Sequence, residues 1–420
     1  MHRAHRAHPV APEAPPTAGL PLHWRDLRPG GDADLGAALA RFLGVPAVQI
    51  ECSGTAALVI ALFALRSVEP GRDEVVAPAY TCPLVALAAA HCGLRLRLCD
   101  LRPGGLDLCP ASLARLCGPR TLAVLPTHLA GRVTDVAPVR ALAHAAGARV
   151  IEDAAQALGA RLHGDACIGA GSDMVFFSLA VGKGITLYEG GALAVADPDL
   201  RAACQEVAAT RAPWRRGWEW RRSVELIGYA ALYRPAGLPL AYGLPLRRAL
   251  ARGDRVGAAG DDFDGAIPLH RVGQWRQAVG VRALQRLPAW LAEGRVRARQ
   301  RIAWLHRRLP ALQVLQDSPA VAGARGTWPN LMVLMPDAAS REAAIRALWG
   351  RGLGVSLPFA NALPDYPRYA RHVSHADGEA WPNARDFAGR VMAISNSPWL
   401  DDEGFSQVCD ALQQAIGGAA

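Results

Sequence analysis

IEDAAQALGA (residues 151–160) and MVFFSLAVGKGITLYEGG (174–191), joined by a polar loop, decide how this chain reads. The first segment sets a carboxylate, Asp153, at the end of an apolar run. The second sets a lone lysine, Lys183, in a glycine-flanked loop after another such run. Lysine is scarce here and arginine carries nearly all the positive charge, so a lysine between Gly182 and Gly184 calls for a chemical reason. An amine condenses with an aldehyde, whereas a guanidinium stays protonated and is a poor nucleophile.

Upstream, short apolar runs alternate with amphipathic segments of helical length. VPAVQIEC precedes TAALVIALFALRSV, DEVVAP precedes PLVALAAAHCG, LRLRLCD precedes PASLARLC, and RTLAVLPTHL precedes VAPVRALAHAAGA and then RVIEDAAQALGA. This alternation predicts an α/β fold with a mostly parallel sheet covered by helices on both faces. Ligands of such sheets collect at the carboxyl ends of the strands, and the chemistry-bearing residues fall at those ends.

SGTAAL (53–58) lies at a strand-to-helix turn, where small residues and free N–H groups suit an anion; capping and turn geometry alone also explain it. Tyr80, in PAYTC, follows the next strand and either lies flat on a planar ligand or covers the core. LPTHLAGRVTD carries His128 and Asp135, and His128 either faces the site or is structural. Asp153, at its strand end, is placed to keep a heteroaromatic nitrogen protonated, as in the pyridinium of pyridoxal phosphate. Gln156 lies three residues on, a donor for that ring's phenolic oxygen, and Ser178, five before Lys183, offers a hydroxyl to a phosphate.

In this order and at this spacing, SGTAAL, PAYTCP, HLAGRVTD, IEDAAQALGA and FFSLAVGKGITLYEGG resemble the DegT/DnrJ/StrS sugar aminotransferases, fold type I pyridoxal-phosphate enzymes. The match runs over about residues 40–200, with a weaker echo to the C-terminus. The resemblance implies that Lys183 attaches the cofactor, Asp153 pairs with its ring nitrogen and Gln156 meets its phenolic oxygen. It also implies that Tyr80 stacks on the ring and that Thr55, Ala56 and Ser178 hold the phosphate. It implies a large αβα domain, a smaller α+β C-terminal domain and a homodimer with sites at the interface. The expected reaction turns a keto-sugar, nucleotide-linked by analogy, into an amino sugar with an amino-acid donor such as glutamate. Family members that dehydrate or deoxygenate sugars replace the lysine by histidine, and a non-catalytic regulatory protein on the same fold is the remaining alternative. Gly184 stands where the family has asparagine, and the family's Asn-x-Arg-Met stretch aligns near His270 without its Arg-Met pair. His128 and His270 are thus the candidate substrate contacts.

Composition sets the remaining bounds. The 420 residues are 51% hydrophobic and 20% charged, which describes a folded protein of two or three domains. The formal charge of +9 is spread along the chain rather than gathered in a tail, which disfavours nucleic acid as a partner. Nine cysteines without a CxxC pair point to neither disulfide framework nor zinc site, and a reducing cytoplasm is expected. Residues 1–20, with His2, His5 and His8, read as a disordered tail without a metal site. Residues 21–265 read as the large cofactor domain, and 266–420 as a helical linker and small domain. Within the large domain, 205–262 reads as an insertion. Its 212–250 part sets Trp214, Trp218 and Trp220 among arginines beside an apolar run, which reads as a lid, a subunit interface or a peripheral membrane contact.

Overall fold

The computed structural model describes residues 12–30, 33–374 and 380–418. Seven strands form the larger sheet: β1 (Gln49–Glu51), β2 (Glu74–Pro78), β3 (Arg95–Cys99), β4 (Thr121–Val124), β5 (Arg149–Asp153), β6 (Met174–Ser178) and β7 (Gly191–Val195). Their spatial order is β1-β7-β6-β5-β4-β2-β3. All run parallel except β7, which is antiparallel to both of its neighbours. Strands β2, β4, β6 and β7 are buried along their whole length, as expected where helices cover both faces of a parallel sheet. The helix Gly54–Val68 is apolar almost all round because the sheet lies on one side and the Pro198–Arg211 helix on the other.

Register brings the motifs together. Asp153 pairs beside Phe176, two residues before Ser178, and Ser178 pairs with Gly191 on β7. The ends of β5, β6 and β7 therefore gather Asp153, Ser178 and the Lys183 loop at one edge.

A second sheet, antiparallel in the order β10-β11-β9-β8, is built from β8 (Gln313–Val314), β9 (Asn330–Leu334), β10 (Val355–Ser356) and β11 (Val391–Ser395). The helices Ala338–Leu348 and Asp402–Gly417 pack on each other across a second core. The Leu287–Arg308 helix joins the two parts; Pro288 sits in its first turn, where the missing N–H costs nothing. Buried Arg301 on this helix donates to the carbonyls of Ser395 and Ser397 at the end of β11.

The insertion is helical: Arg216–Leu232, a wide turn at Pro239–Gly243, then Leu244–Ala251 and Arg255–Ala259. No helix among the described residues is long and apolar enough to cross a membrane.

The expected tail needs correction. Residues 1–11, with His2, His5 and His8, lie outside the described residues. Residues 12–20, in contrast, form an ordered strap with Ala14, Ala18 and Leu20 buried. Its backbone N–H groups donate to the carbonyls of Pro235 (Glu13, 3.1 Å), Gly352 (Ala14, 2.8 Å), Pro329 (Ala18, 2.8 Å) and Lys183 (Leu20, 3.3 Å). Proline-rich composition hid this order, because it comes from distant backbone partners and not from local propensity.

Candidate active site

The loop that carries Lys183 closes on itself. Leu187 N–H donates to Leu179 O (2.9 Å), Val181 N–H to Tyr188 O (3.1 Å) and Tyr188 N–H to the Thr186 hydroxyl (2.9 Å). Gly182 has φ 78°, and a Cβ there would meet Thr17 Oγ1 of the strap at 2.5 Å, so only glycine fits. Burial lowers the pKa of the Lys183 amine, while the nearby charges of Cys82 and Asp153 pull it back up. Asp153, 5% exposed, shows the opposite response. Burial raises its carboxyl pKa, and the Ala155 N–H (3.0 Å to Oδ1), Lys183 and His128 pull it down. Amine and carboxyl thus lie near enough to sense each other's charge, and burial pushes each toward its neutral form.

The fold tests whether a phosphate fits beside them. Ser53 caps the Gly54–Val68 helix, its hydroxyl accepting from Ala56 N–H (3.0 Å). That contact removes Ala56 from the expected set of phosphate donors. Among the described residues, the amides of Gly54 and Thr55 make no hydrogen bond, and they open a 15-residue helix. A Cβ on Gly54 would come within 3.0 Å of Ser178 Cβ, and one on Gly191 within 2.1 Å of Ser53 O. The turn is therefore pressed against the ends of β6 and β7 with no side chain between. Ser178 Oγ accepts from Ala180 N–H (3.3 Å) and keeps its own proton to donate. Two free amides, a free hydroxyl and a helix N-terminus suit a phosphate.

Gln156 Oε1 accepts from Ala130 N–H (2.7 Å), which orients the side chain and leaves its NH₂ group to donate. Gln156 lines a cavity of about 340 Å³ together with Thr17, Tyr242, Asn330 and Ser356. Asn330 Oδ1 is buried without a hydrogen-bond partner among the described residues.

Three sequence candidates lie elsewhere. Tyr80 is 2% exposed; its hydroxyl donates to Phe359 O (3.2 Å) and accepts from Phe359 N–H (3.1 Å), and its ring packs on Phe359 and Phe387. It ties the end of β2 to the second domain and offers no face to a ligand. Cys82, two residues on and half-buried, is the group of that turn that senses both Asp153 and Lys183, its thiol pushed up to about 12 by burial. His128 is 1% exposed. Its Nδ1 accepts from Thr134 N–H (3.2 Å), so Nε2 carries the proton and donates to Glu152 (2.9 Å), which also accepts from Ser172. Glu152 and Asp153 are adjacent on a strand and point to opposite faces, which places His128 behind the site. His128→Leu is expected to leave Glu152 unmatched and to cost about 1–3 kcal/mol in urea unfolding, checked against unchanged activity. His270 is 1% exposed, stacked on Trp218 at 5.6 Å with its Nδ1 on Arg271 O (3.1 Å), and lines neither cavity beside the Lys183 loop.

Cys82, Thr17, Asn330 and Ser356 were missed in the sequence. Only Cys82 carried a signal, its place in the PAYTCP turn; the others reach the site through tertiary packing alone.

A seven-stranded sheet with one antiparallel strand, a following four-stranded domain and a lysine loop facing a strand-end aspartate define the class: fold type I pyridoxal-phosphate-dependent transferases. The model of the DegT/DnrJ/EryC1/StrS aminotransferase family matches residues 32–229 and 270–413, and the chain belongs to that family. GDP-perosamine synthase of Caulobacter vibrioides is 35% identical over 208 residues, 49% of this chain and 53% of that one. The chain thus matches about half the length of that relative. Spore coat polysaccharide biosynthesis protein SpsC of Bacillus subtilis is 27% identical over 90% of this chain and 88% of its own. In fold, DesV of S. venezuelae superposes with a TM-score of 0.67 at 23% identity, over 92% of this chain and 90% of that chain.

Proposed function

We propose that this chain is a pyridoxal-phosphate aminotransferase that converts a keto-sugar into an amino sugar with glutamate as the nitrogen donor. The observation that carries this reading is Lys183, the only lysine in the chain, set close enough to the strand-end Asp153 for each to shift the other's charge. When bound, the cofactor supplies an aldehyde for the amine and a ring that accepts the electron pair released at the substrate carbon. Asp153 would keep the ring nitrogen protonated. Gln156 would donate its amide to the ring oxygen, and the Gly54 and Thr55 amides and the Ser178 hydroxyl would hold the phosphate. Lys183 Nζ would be the base placed to take the proton from the donor's α-carbon. The names of sugar transaminases among the relatives support the substrate class, and the retained lysine favours transamination over dehydration.

The direct test is spectroscopic. Protein purified with added cofactor should absorb as a lysine-bound aldehyde, lose that band with glutamate and regain it with a keto acid. A protein that stays colourless overturns the reading.

We take the working form to be a cytoplasmic homodimer with a peripheral membrane contact through residues 212–250. Support for that contact is the exposed apolar row Trp220, Val224, Ile227 on one helix face, continued by Leu240 and Leu244. Exposed Arg215 and Arg216 lie at one end of the row and Arg248 and Arg252 at the other. In flotation, the wild type should rise with vesicles containing phosphatidylglycerol, and the Trp220→Glu/Ile227→Glu variant should stay below. Equal recovery of the two in the lower fraction removes the contact.

A further inference from the structure

A second cavity, of about 530 Å³, is lined by Val181, Gly182 and Tyr188 of the Lys183 loop. Pro16, Thr17, Ala241 and Tyr242 line both this chamber and the one at Gln156, so the two meet along that seam. The polar groups of the Gln156 chamber, among them Asn330 and Ser356, are those a sugar would use. The second chamber is different in kind. Its walls are Val181, Leu232, Leu238, Pro15 and the rings of Tyr229 and Tyr233, and Tyr233 already spends its hydroxyl on Thr17 O (2.8 Å).

Glu225 is the one charged side chain on this lining among the described residues, and Arg221 (3.0 Å) and Arg222 (2.6 Å) hold it at the rim. Apart from the Tyr229 hydroxyl, buried without a partner among the described residues, a nucleotide would find a carboxylate and few donors for its base, and leaving base polar atoms unmatched is costly. An apolar chain would find the opposite. The chamber also opens toward the exposed apolar face, since Val181 and Leu232 at its edge are 42% and 38% exposed. Leu232, Leu238, Ala241 and Tyr242 all fall in residues 230–269, the stretch the family model does not match.

We propose that the keto-sugar is carried on an isoprenoid lipid diphosphate and not on a nucleotide. The sugar would occupy the Gln156 chamber, the diphosphate the seam at Thr17 and Tyr242, and the first isoprene units the second chamber. The rest of the chain passes out over the apolar, arginine-flanked face, where anionic headgroups meet the arginines. This rests on the aminotransferase reading.

The test uses the full chain with cofactor and isoprenyl phosphates of increasing length, with UDP and dTDP as the nucleotide arm, followed by calorimetry. Affinity should rise from dimethylallyl to farnesyl phosphate, and neither nucleotide should displace farnesyl phosphate. Gly228 lines the chamber, and a Cβ there meets nothing within 4 Å, so Gly228→Trp should fill the space without strain. It should weaken farnesyl phosphate binding by about tenfold or more, a loss of ~1.4 kcal/mol. Tighter binding of UDP or dTDP, affinity independent of chain length, or an unaltered Gly228→Trp overturns the proposal. A Gly228→Trp variant that sediments as a monomer where the wild type is a dimer also overturns it, by assigning the chamber to a second copy. Failure of the glutamate reaction in the wild type sinks the aminotransferase reading instead, and the calorimetry reads independently of it.

Discussion

Lys183→Ala will abolish the glutamate-dependent loss of absorbance and lower turnover by at least about 10²–10⁴-fold, the range for removing a positioned proton-transfer group. Lys183→Arg should fail equally, since a guanidinium restores the charge but cannot condense with an aldehyde. With only one lysine in the chain, borohydride reduction of the holoprotein should fix the cofactor on the peptide containing residue 183 and on no other side chain. Because burial lowers the amine's pKa, the deprotonated form is present at lower pH than for an ordinary lysine. Trapping should therefore persist at pH values where a free peptide lysine no longer reacts. A Lys183→Ala protein that still bleaches with glutamate, or label found at another side chain, would contradict this assignment.

Arg276→Met is expected to destabilise the protein by about 3–5 kcal/mol, the cost of stripping one partner from a buried ion pair. The Arg276 side chain is fully buried, with Nε and Nη2 on the Glu219 carboxylate (2.9 and 2.6 Å) and Nη1 on Leu187 O (3.2 Å) and Glu189 O (2.7 Å). It thereby fastens the insertion's Arg216–Leu232 helix to the back of the loop that presents Lys183. Losing it leaves a carboxylate and two carbonyls without a donor. The double variant Arg276→Met/Glu219→Leu should recover much of the loss, because an apolar pair needs no compensating charge. Urea unfolding checks both, and a single-variant change below about 1 kcal/mol would show that solvent reaches the pair.

The strands and the strand-end chemistry were legible because both rest on short-range pattern. The apolar runs RVIED and MVFFS are buried almost end to end; Asp153 closes the first, and Lys183 stands five residues after the second. Side-chain direction past a strand end was not legible. Beyond Pro78 the chain turns, and of the two readings open for Tyr80 its ring takes the core one, while the Cys82 thiol, unassigned from sequence, senses Asp153 and Lys183. Neither the sheet order nor the reversal of β7 is written in local periodicity, since each depends on which helix crosses which face. The strap and the insertion were misread or left open for a related reason. Their order comes from partners more than a hundred residues away, such as Glu13 with Arg247 and Trp290 with Ala18 O.

The strap has a consequence for how the chain matures. Residues 12–20 leave the ribosome before the carbonyls they need, which belong to residues 183, 235, 329 and 352. Most of the chain must be synthesised before the strap's last partner exists, and closing so long a loop carries an entropic cost that rises only slowly with length. The strap therefore finishes docking only after the lysine loop, the insertion and the second domain have all been made. Closure of the strap over the lysine loop is thus tied to synthesis of the second domain.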